Sequence, residues 1–440
     1  MAQTMKNSPA KIWRLKRGSD RRVRAGHPWV YSNELQGSPK GIEPGEKVTL
    51  FDAGGKFLAH GYGNPSSLIA FRVVSRAETE NQWDTVENLT KRLRTAWDLR
   101  TKLGANPAAG MNSFRWMFGE GDDFPGLVID VYRTGETAEG AGTVVVVQAH
   151  TAGVDRIMPN LLQAVEEIAK PTGVVLRNDV SHRKQEGIPI EEPKVLGKVK
   201  TEGEWIRVRS ADGHAPADRV VLFSVDLVRG QKTGFFLDQS ENIGQFLDLF
   251  TRAERAGRKA PLRILDLCCY VGQWSTQIAA AAAARGIATE ALLVDASARA
   301  LSYAKANVEK AGGKAEVFEA DVLADLPKLV DLEFDVVICD PPALIPSRKD
   351  IPTGKPAYLK LNTEAFRLLA PGGWMVTCSC SQLLEEEDFA LQVSKGSLRN
   401  GREMRWLARG TQAIDHPMKL EFPEGKYLKM WIGKDLGKTG

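Results

Sequence analysis

Cys380 and Asp340 are the two side chains whose type and spacing could do chemistry together. The thiol lies in "WMVTCSCSQLLEEED", five residues ahead of Glu385, and Asp340 opens "DPPAL" forty residues upstream of it. Each follows an apolar, strand-like run, so both are expected where strands end. A thiol and a carboxyl held together suit the unreactive edge of a pyrimidine. Carbon 5 of cytosine becomes enamine-like only after a thiolate adds at carbon 6, and an acid at ring nitrogen 3 makes that addition feasible. Pro341 and Pro342 stop both the ladder and an immediate helix, so they fix a rigid loop. That loop could hold an extruded base, or be a plain strand-ending turn.

Cys378 alternates with Cys380 and shares its side of an extended strand. Burial as a small hydrophobe is the usual fate of free cysteine, and Cys268, Cys269, Cys339 and Cys378 are assigned to it. Glu385, Glu386 and Glu387 fit the first turn of the next helix and would not lower a thiol pKa. Activation would have to come from the helix N-terminus or from nearby Lys and Arg. Arg348 and Lys349, just past the prolines, are candidates for that or for phosphate contacts.

The elements around these residues alternate. From Leu262 onward, apolar strands ("RILDLCC", "ALLVDAS", "KAEVFEAD", "FDVVICD", "GWMVTCSCS") are each followed by a helical or connecting stretch. This predicts a doubly wound parallel sheet, an α/β Rossmann-like unit. "LADLPKLV" takes a connecting helix position, and "MKLEFPEGKYLKMWIG" reads as a final hairpin. In the usual strand order, Asp340 and Cys380 emerge side by side. Ligands of such sheets lie beyond the carboxyl ends of the strands, where Asp266, Asp295, Asp321 and Asp340 stand. A carboxylate ending the second strand suits a ribose diol, and Asp321 could accept from an adenine amine. The first turn, "DLCCYVGQW", has Gly272 as its only glycine, so the G-x-G-x-x-G turn of dinucleotide sites is missing. A ligand without phosphates is favoured, and S-adenosylmethionine is the common one.

Two further regions precede this unit. Residues 10–78 show short strands with Gly and Pro turns, Gly54-Gly55 among them, and predict a small β-rich module. Its entry is basic: Lys11, Arg14, Lys16, Arg17, Arg21 and Arg22 lie between Lys6 and Arg24, opposed only by Asp20. Such an arm suits a polyanion or is a solvated face. Trp13, Trp29 and Tyr31 could stack on RNA or fill the small core. Residues 79–222 read as α+β, with helices from Thr85 to Leu103 and from Val154 to Ala169, and residues 223–440 hold the alternating unit.

Composition sets outer limits. With 440 residues, 43% hydrophobic and 26% charged, the chain can bury several cores, and a net charge of +4 says little about partners. The five cysteines fit neither a zinc site nor a disulfide framework, so reduced thiols in a cytoplasmic protein without a bound metal are expected. Ile278 to Ala284 is too short an apolar run to span a bilayer.

These motifs resemble the bacterial large-subunit ribosomal RNA cytosine-C5 methyltransferases, which join a PUA domain, a central α+β domain and a class I methyltransferase domain. "RLKRGSDRRVRAGHPWVYSNEL" looks like the PUA opening. "FGEGDDFPGLVIDVY" and "LVRGQKTGFFLDQSENI" look like distinctive central stretches, and "LDLCCYVGQW", "VDAS", "CDPPAL" and "LLAPGGWMVTCSCSQLL" look like the methyltransferase motifs. The resemblance implies S-adenosylmethionine on Asp266, Gly272, Asp295 and Asp321, with Phe236 and Gln239 closing over it. It implies Cys380 as nucleophile, Asp340 assisting at nitrogen 3, and large-subunit rRNA as substrate. A homodimer is compatible with it, and no membrane is expected. Ala343 stands where relatives usually carry Lys or Thr. Guanine or exocyclic-amine methylation without a nucleophilic cysteine, and RNA binding without turnover, are the competing readings.

Overall fold

The computed structural model describes residues 10–104, 113–137, 140–216, 219–254 and 258–438. Lys6, at the start of the basic arm, and part of the charged connector before Leu262 lie outside them.

The N-terminal module is one five-stranded sheet, in the order Lys11–Arg14, Glu46–Phe51, Phe57–Gly63, Phe71–Ser75, Trp29–Val30. The Gly54-Gly55 turn joins its second and third strands as expected. Asp52 Oδ1 accepts from Gly54 N at 2.9 Å and Lys56 N at 2.8 Å, and Gly55 takes φ +85°. Leu15, Val48, Leu50, Ala59 and Phe71 fill its core.

The central region is a mixed seven-stranded sheet. The helix Val86–Lys102 packs on it, capped by Thr85, as does Met158–Ala169. The expected single helix from Val154 is broken at Ile157, because Pro159 can only start a helix. The strand Val220–Val225 runs across the expected boundary at 222/223 and pairs with Glu204–Arg209.

The C-terminal sheet runs Lys314–Glu319, Thr289–Asp295, Leu262–Leu267, Phe334–Cys339, Leu369–Ser379, Lys429–Lys438, Arg402–Gly410. The first five strands are parallel and carry the expected switch point between Leu262–Leu267 and Phe334–Cys339. Two expectations need correction. "LADLPKLV" is not an α-helix but a single 3-10 turn, Leu326–Lys328, around Pro327. The C-terminal stretch is not a hairpin within itself. Lys429–Lys438 slots antiparallel between Leu369–Ser379 and Arg402–Gly410, and residues 411–428 form the connection.

That connection joins all three regions. Phe422 meets Trp29 edge-on at 4.7 Å, and Glu424 faces His27 at 3.4 Å. Lys419 pairs with Asp123 of the central region, and Glu424 O accepts from Gln382, two residues past Cys380, at 2.7 Å. Trp29 also donates to Glu120 at 2.8 Å, while Tyr31 lies under the Arg22 guanidinium at 4.8 Å. Trp29 and Tyr31 thus serve packing between elements. Among the described residues, no helix is long and apolar enough to cross a membrane.

Candidate active site

The carboxyl ends of the parallel strands open into a cavity of about 620 Å³. Eight of the expected site residues line it: Asp295, Asp321, Phe236, Gln239, Asp340, Pro341, Pro342 and Cys380. Asp266, Gly272, Arg348 and Lys349 do not. Arg348 and Lys349 are exposed on a short turn, and the largest opposing charge at Cys380 is Lys232.

Asp266 lies beneath the cavity floor and is 1% exposed. Its Oδ2 accepts from Ser275 N at 3.2 Å and Ser275 Oγ at 2.7 Å, so it fastens the first turn of the helix Gln273–Ala283. Its Oδ1 is buried without a partner, and burial pushes the carboxyl up to about 7. Cys268, Tyr270 and Gly272 all take positive φ (61°, 50° and 72°). This bends the first turn sharply around the cavity rim, and Gly272 backs onto Ala304. The Asp295 oxygens accept from Tyr270 N and Ser297 N, both at 2.9 Å, and Ser297 caps the next helix. Asp295 is therefore not the cap and keeps lone pairs for a ligand.

Cys380 and the loop after Asp340 are joined by a local lattice of hydroxyls. Cys380 sits one residue past its strand, with Sγ 3.7 Å from Pro341 O. Ser379 and Ser381, on either side of it, both bond the Tyr358 hydroxyl at 2.9 Å. Ser381 Oγ accepts from Ile345 N at 3.0 Å, which ties the cysteine turn to the proline loop. Ser381 O accepts from the buried Lys429 at 2.7 Å. Cys269, Cys339 and Cys378 are buried as expected, whereas Cys268, also expected in the core, is part-exposed because the sharp first turn brings it to the cavity wall; Cys380 is part-exposed too.

Asp340 Oδ2 accepts from Gln239 Nε2 at 2.8 Å and Trp274 Nε1 at 3.2 Å. Burial pushes this carboxyl up to about 6, against those two bonds, and Asp238 adds to the rise. Burial likewise pushes the Cys380 thiol up to about 11, with Lys232 opposing and Asp340 and Asp238 reinforcing. Burial also disfavours charge on Asp238, but Lys232 and His416, with bonds from Lys232 and Tyr427, outweigh it and hold that carboxyl below its ordinary range. Among the described residues no cluster of three or more His, Cys, Asp or Glu is arranged for a metal ion.

Residues 14–76 match the PUA-like domain family, and residues 258–420 match a methyltransferase domain family. The ribosomal RNA large subunit methyltransferase I of Photobacterium profundum is 31% identical over 425 residues, covering 94% of this chain and 97% of its own. That of Erwinia tasmaniensis is 30% identical over 424 residues, with the same coverage. The chain belongs to the ribosomal RNA large subunit methyltransferase I family. Its fold is also that of a protein from Streptococcus mutans described as a SAM-dependent methyltransferase, with a TM-score of 0.71 at 18% identity over 96% of this chain and all of that one. A methyltransferase structure in complex with SAH gives 0.73 at the same identity and coverage.

For this family member, sequence reasoning missed Lys232, Asp238, Trp274, Tyr358 and Lys429. The first two lie inside "LVRGQKTGFFLDQSENI", so the signal was in view. What hid Lys232 is its backbone: at φ +50° it turns into the cavity, 4.2 Å over the Phe236 ring and 2.8 Å from Asp238.

Proposed function

We propose that the chain methylates large-subunit ribosomal RNA at carbon 5 of a cytosine, using S-adenosylmethionine and a transient bond from Cys380. The observation that carries this reading is the shared cavity, where the Cys380 sulfur and the Asp340 loop meet at the Pro341 carbonyl.

The residues present fit the cofactor. Asp295 and Asp321 face one end of the cavity as acceptors for ribose and adenine, Phe236 offers a ring face, and no phosphate-binding turn is built. Bound there, S-adenosylmethionine supplies an electrophilic methyl group. Asp266 and Gly272 hold the first turn in shape. Asp340 donates a proton to ring nitrogen 3 as the Cys380 thiolate adds at carbon 6, and takes it back as the aromatic ring re-forms. Lys232 is the charge that favours the thiolate. The target base must leave its stack to enter. The basic face of the N-terminal module, with Arg348 and Lys349 near the proline loop, would meet RNA phosphates. A homodimer is part of this reading and is checked by sedimentation.

The test is methyl transfer from labelled S-adenosylmethionine to rRNA by wild type, Cys380→Ala and Cys380→Ser. Both variants are expected to lose turnover and keep cofactor binding. Undiminished turnover would reject the cysteine adduct and favour methylation of guanine or an exocyclic amine.

A further inference from the structure

We propose that Gln239 and Trp274, braced by Asn242, are positioning residues that keep the exchangeable proton of Asp340 on Oδ1. This rests on the cytosine-C5 reading above. It moves Gln239 from closing over the cofactor to orienting the acid.

Both side-chain donors that reach Asp340 converge on one oxygen, Oδ2, at 2.8 Å and 3.2 Å. An indole N–H can only donate, so Oδ2 is held as an acceptor. The Gln239 amide could present either end, but Asn242 Nδ2 donates to its Oε1 at 2.6 Å and turns Nε2 toward Asp340. Asn242 is fully buried and Trp274 is 4% exposed, so neither donor is free to swing away. Among the described residues Oδ1 has no hydrogen-bond partner, and it is not one of the oxygens shut in without one. With Oδ2 taken, the proton of the neutral acid belongs on Oδ1, on the carboxyl edge left for a ligand in the cavity that Asp340 lines.

The Cys380 thiolate, its proton lost to solvent, forms a bond to carbon 6. The carbon 5–carbon 6 π pair moves to carbon 4–carbon 5, and the carbon 4–nitrogen 3 π pair becomes a lone pair that takes the Oδ1 proton. Asp340 is left as a carboxylate whose Oδ2 charge is met by the same two donors. A randomly oriented carboxyl would offer the bare oxygen to nitrogen 3 in half of its encounters and would lack that stabilisation.

The enamine formed in this step exchanges its carbon 5 hydrogen with water, which gives a readout that needs no cofactor. RNA carrying tritium at carbon 5 of cytosine is incubated with the full chain, and release to water is followed for wild type, Gln239→Met, Trp274→Phe and Cys380→Ala. S-adenosylmethionine affinity is measured for each by calorimetry. Both positioning variants are expected to lower the maximal exchange rate about 10- to 100-fold, with the KM for RNA and the Kd for cofactor within about twofold of wild type. The inference is overturned if Trp274→Phe exchanges at the wild-type rate. It is equally overturned if Gln239→Met weakens cofactor binding tenfold or more while keeping its maximal exchange rate, since Gln239 would then serve the cofactor. Wild-type exchange by Cys380→Ala would instead reject the cysteine reading beneath it.

Discussion

Two clusters of buried charge are served by adjacent residues, Lys232 and Thr233, and they are built on opposite principles. In the central region, Arg115 grips Asp130 through Nε and at 3.0 Å through Nη2, and Thr233 donates to the same carboxylate at 2.5 Å. Tyr132 closes the group through Thr233 at 2.9 Å. In the cavity, Lys232 faces the Asp238 and Asp340 carboxyls and the Cys380 thiol. The first cluster is balanced and every oxygen is matched. The second is left in deficit: Asp238 keeps its charge, while the Asp340 carboxyl and the Cys380 thiol are pushed toward their neutral forms. Balanced burial holds a fold together, while unbalanced burial stores proton affinity for chemistry.

Removing one acid from each cluster breaks the comparison most sharply. Asp340→Asn should cut methyl transfer by about 10²- to 10⁴-fold with no loss of stability, because it removes an acid and not a needed charge. Asp130→Ala should do the reverse. It strands the buried Arg115 and should cost roughly 3–5 kcal/mol in denaturant unfolding. If Asp130→Ala unfolds no more easily than Asp340→Asn, the distinction fails. A smaller effect sharpens it: Lys232→Met removes the cation opposing the Cys380 rise, so the thiol should titrate higher. Alkylation at Cys380, followed by mass spectrometry at neutral pH, should slow about tenfold. The smallest effect is on stability against pH. Asp266 and Asp340, folded values about 7 and about 6, bind protons more tightly folded than unfolded. Their contribution is present below the ordinary carboxylate range and is lost as pH rises through those values. Asp266→Asn should therefore gain on wild type between about pH 4 and 7, and a constant gap in denaturant midpoints would contradict the assignment.

The sequence made the strand-end acids, the proline loop and Cys380 legible because each sits at a change of periodicity, where an apolar run stops. Arg402–Gly410 was not legible. It is an edge strand with alternating partial exposure, and its partner lies beyond an intervening loop. Ser379 and Ser381 carry no sequence signal of their own beside Cys380. Their value comes from Tyr358, on a helix packed against that strand, which no spacing rule connects to them. Lys232 could be read as a charge but not as a direction, since a left-handed lysine is rare without glycine's freedom.

The stretch 411–428 touches the N-terminal sheet, the central region and the turn after Cys380. The module that would grip RNA is thus bolted at a set distance from the pit that would receive a base, and no slack tether intervenes. With RNA bound to both, such an arrangement would act as a ruler. A strand held at one end would offer the cavity only the nucleotide at one counted interval, so choice of target can reside in geometry as much as in the letters read.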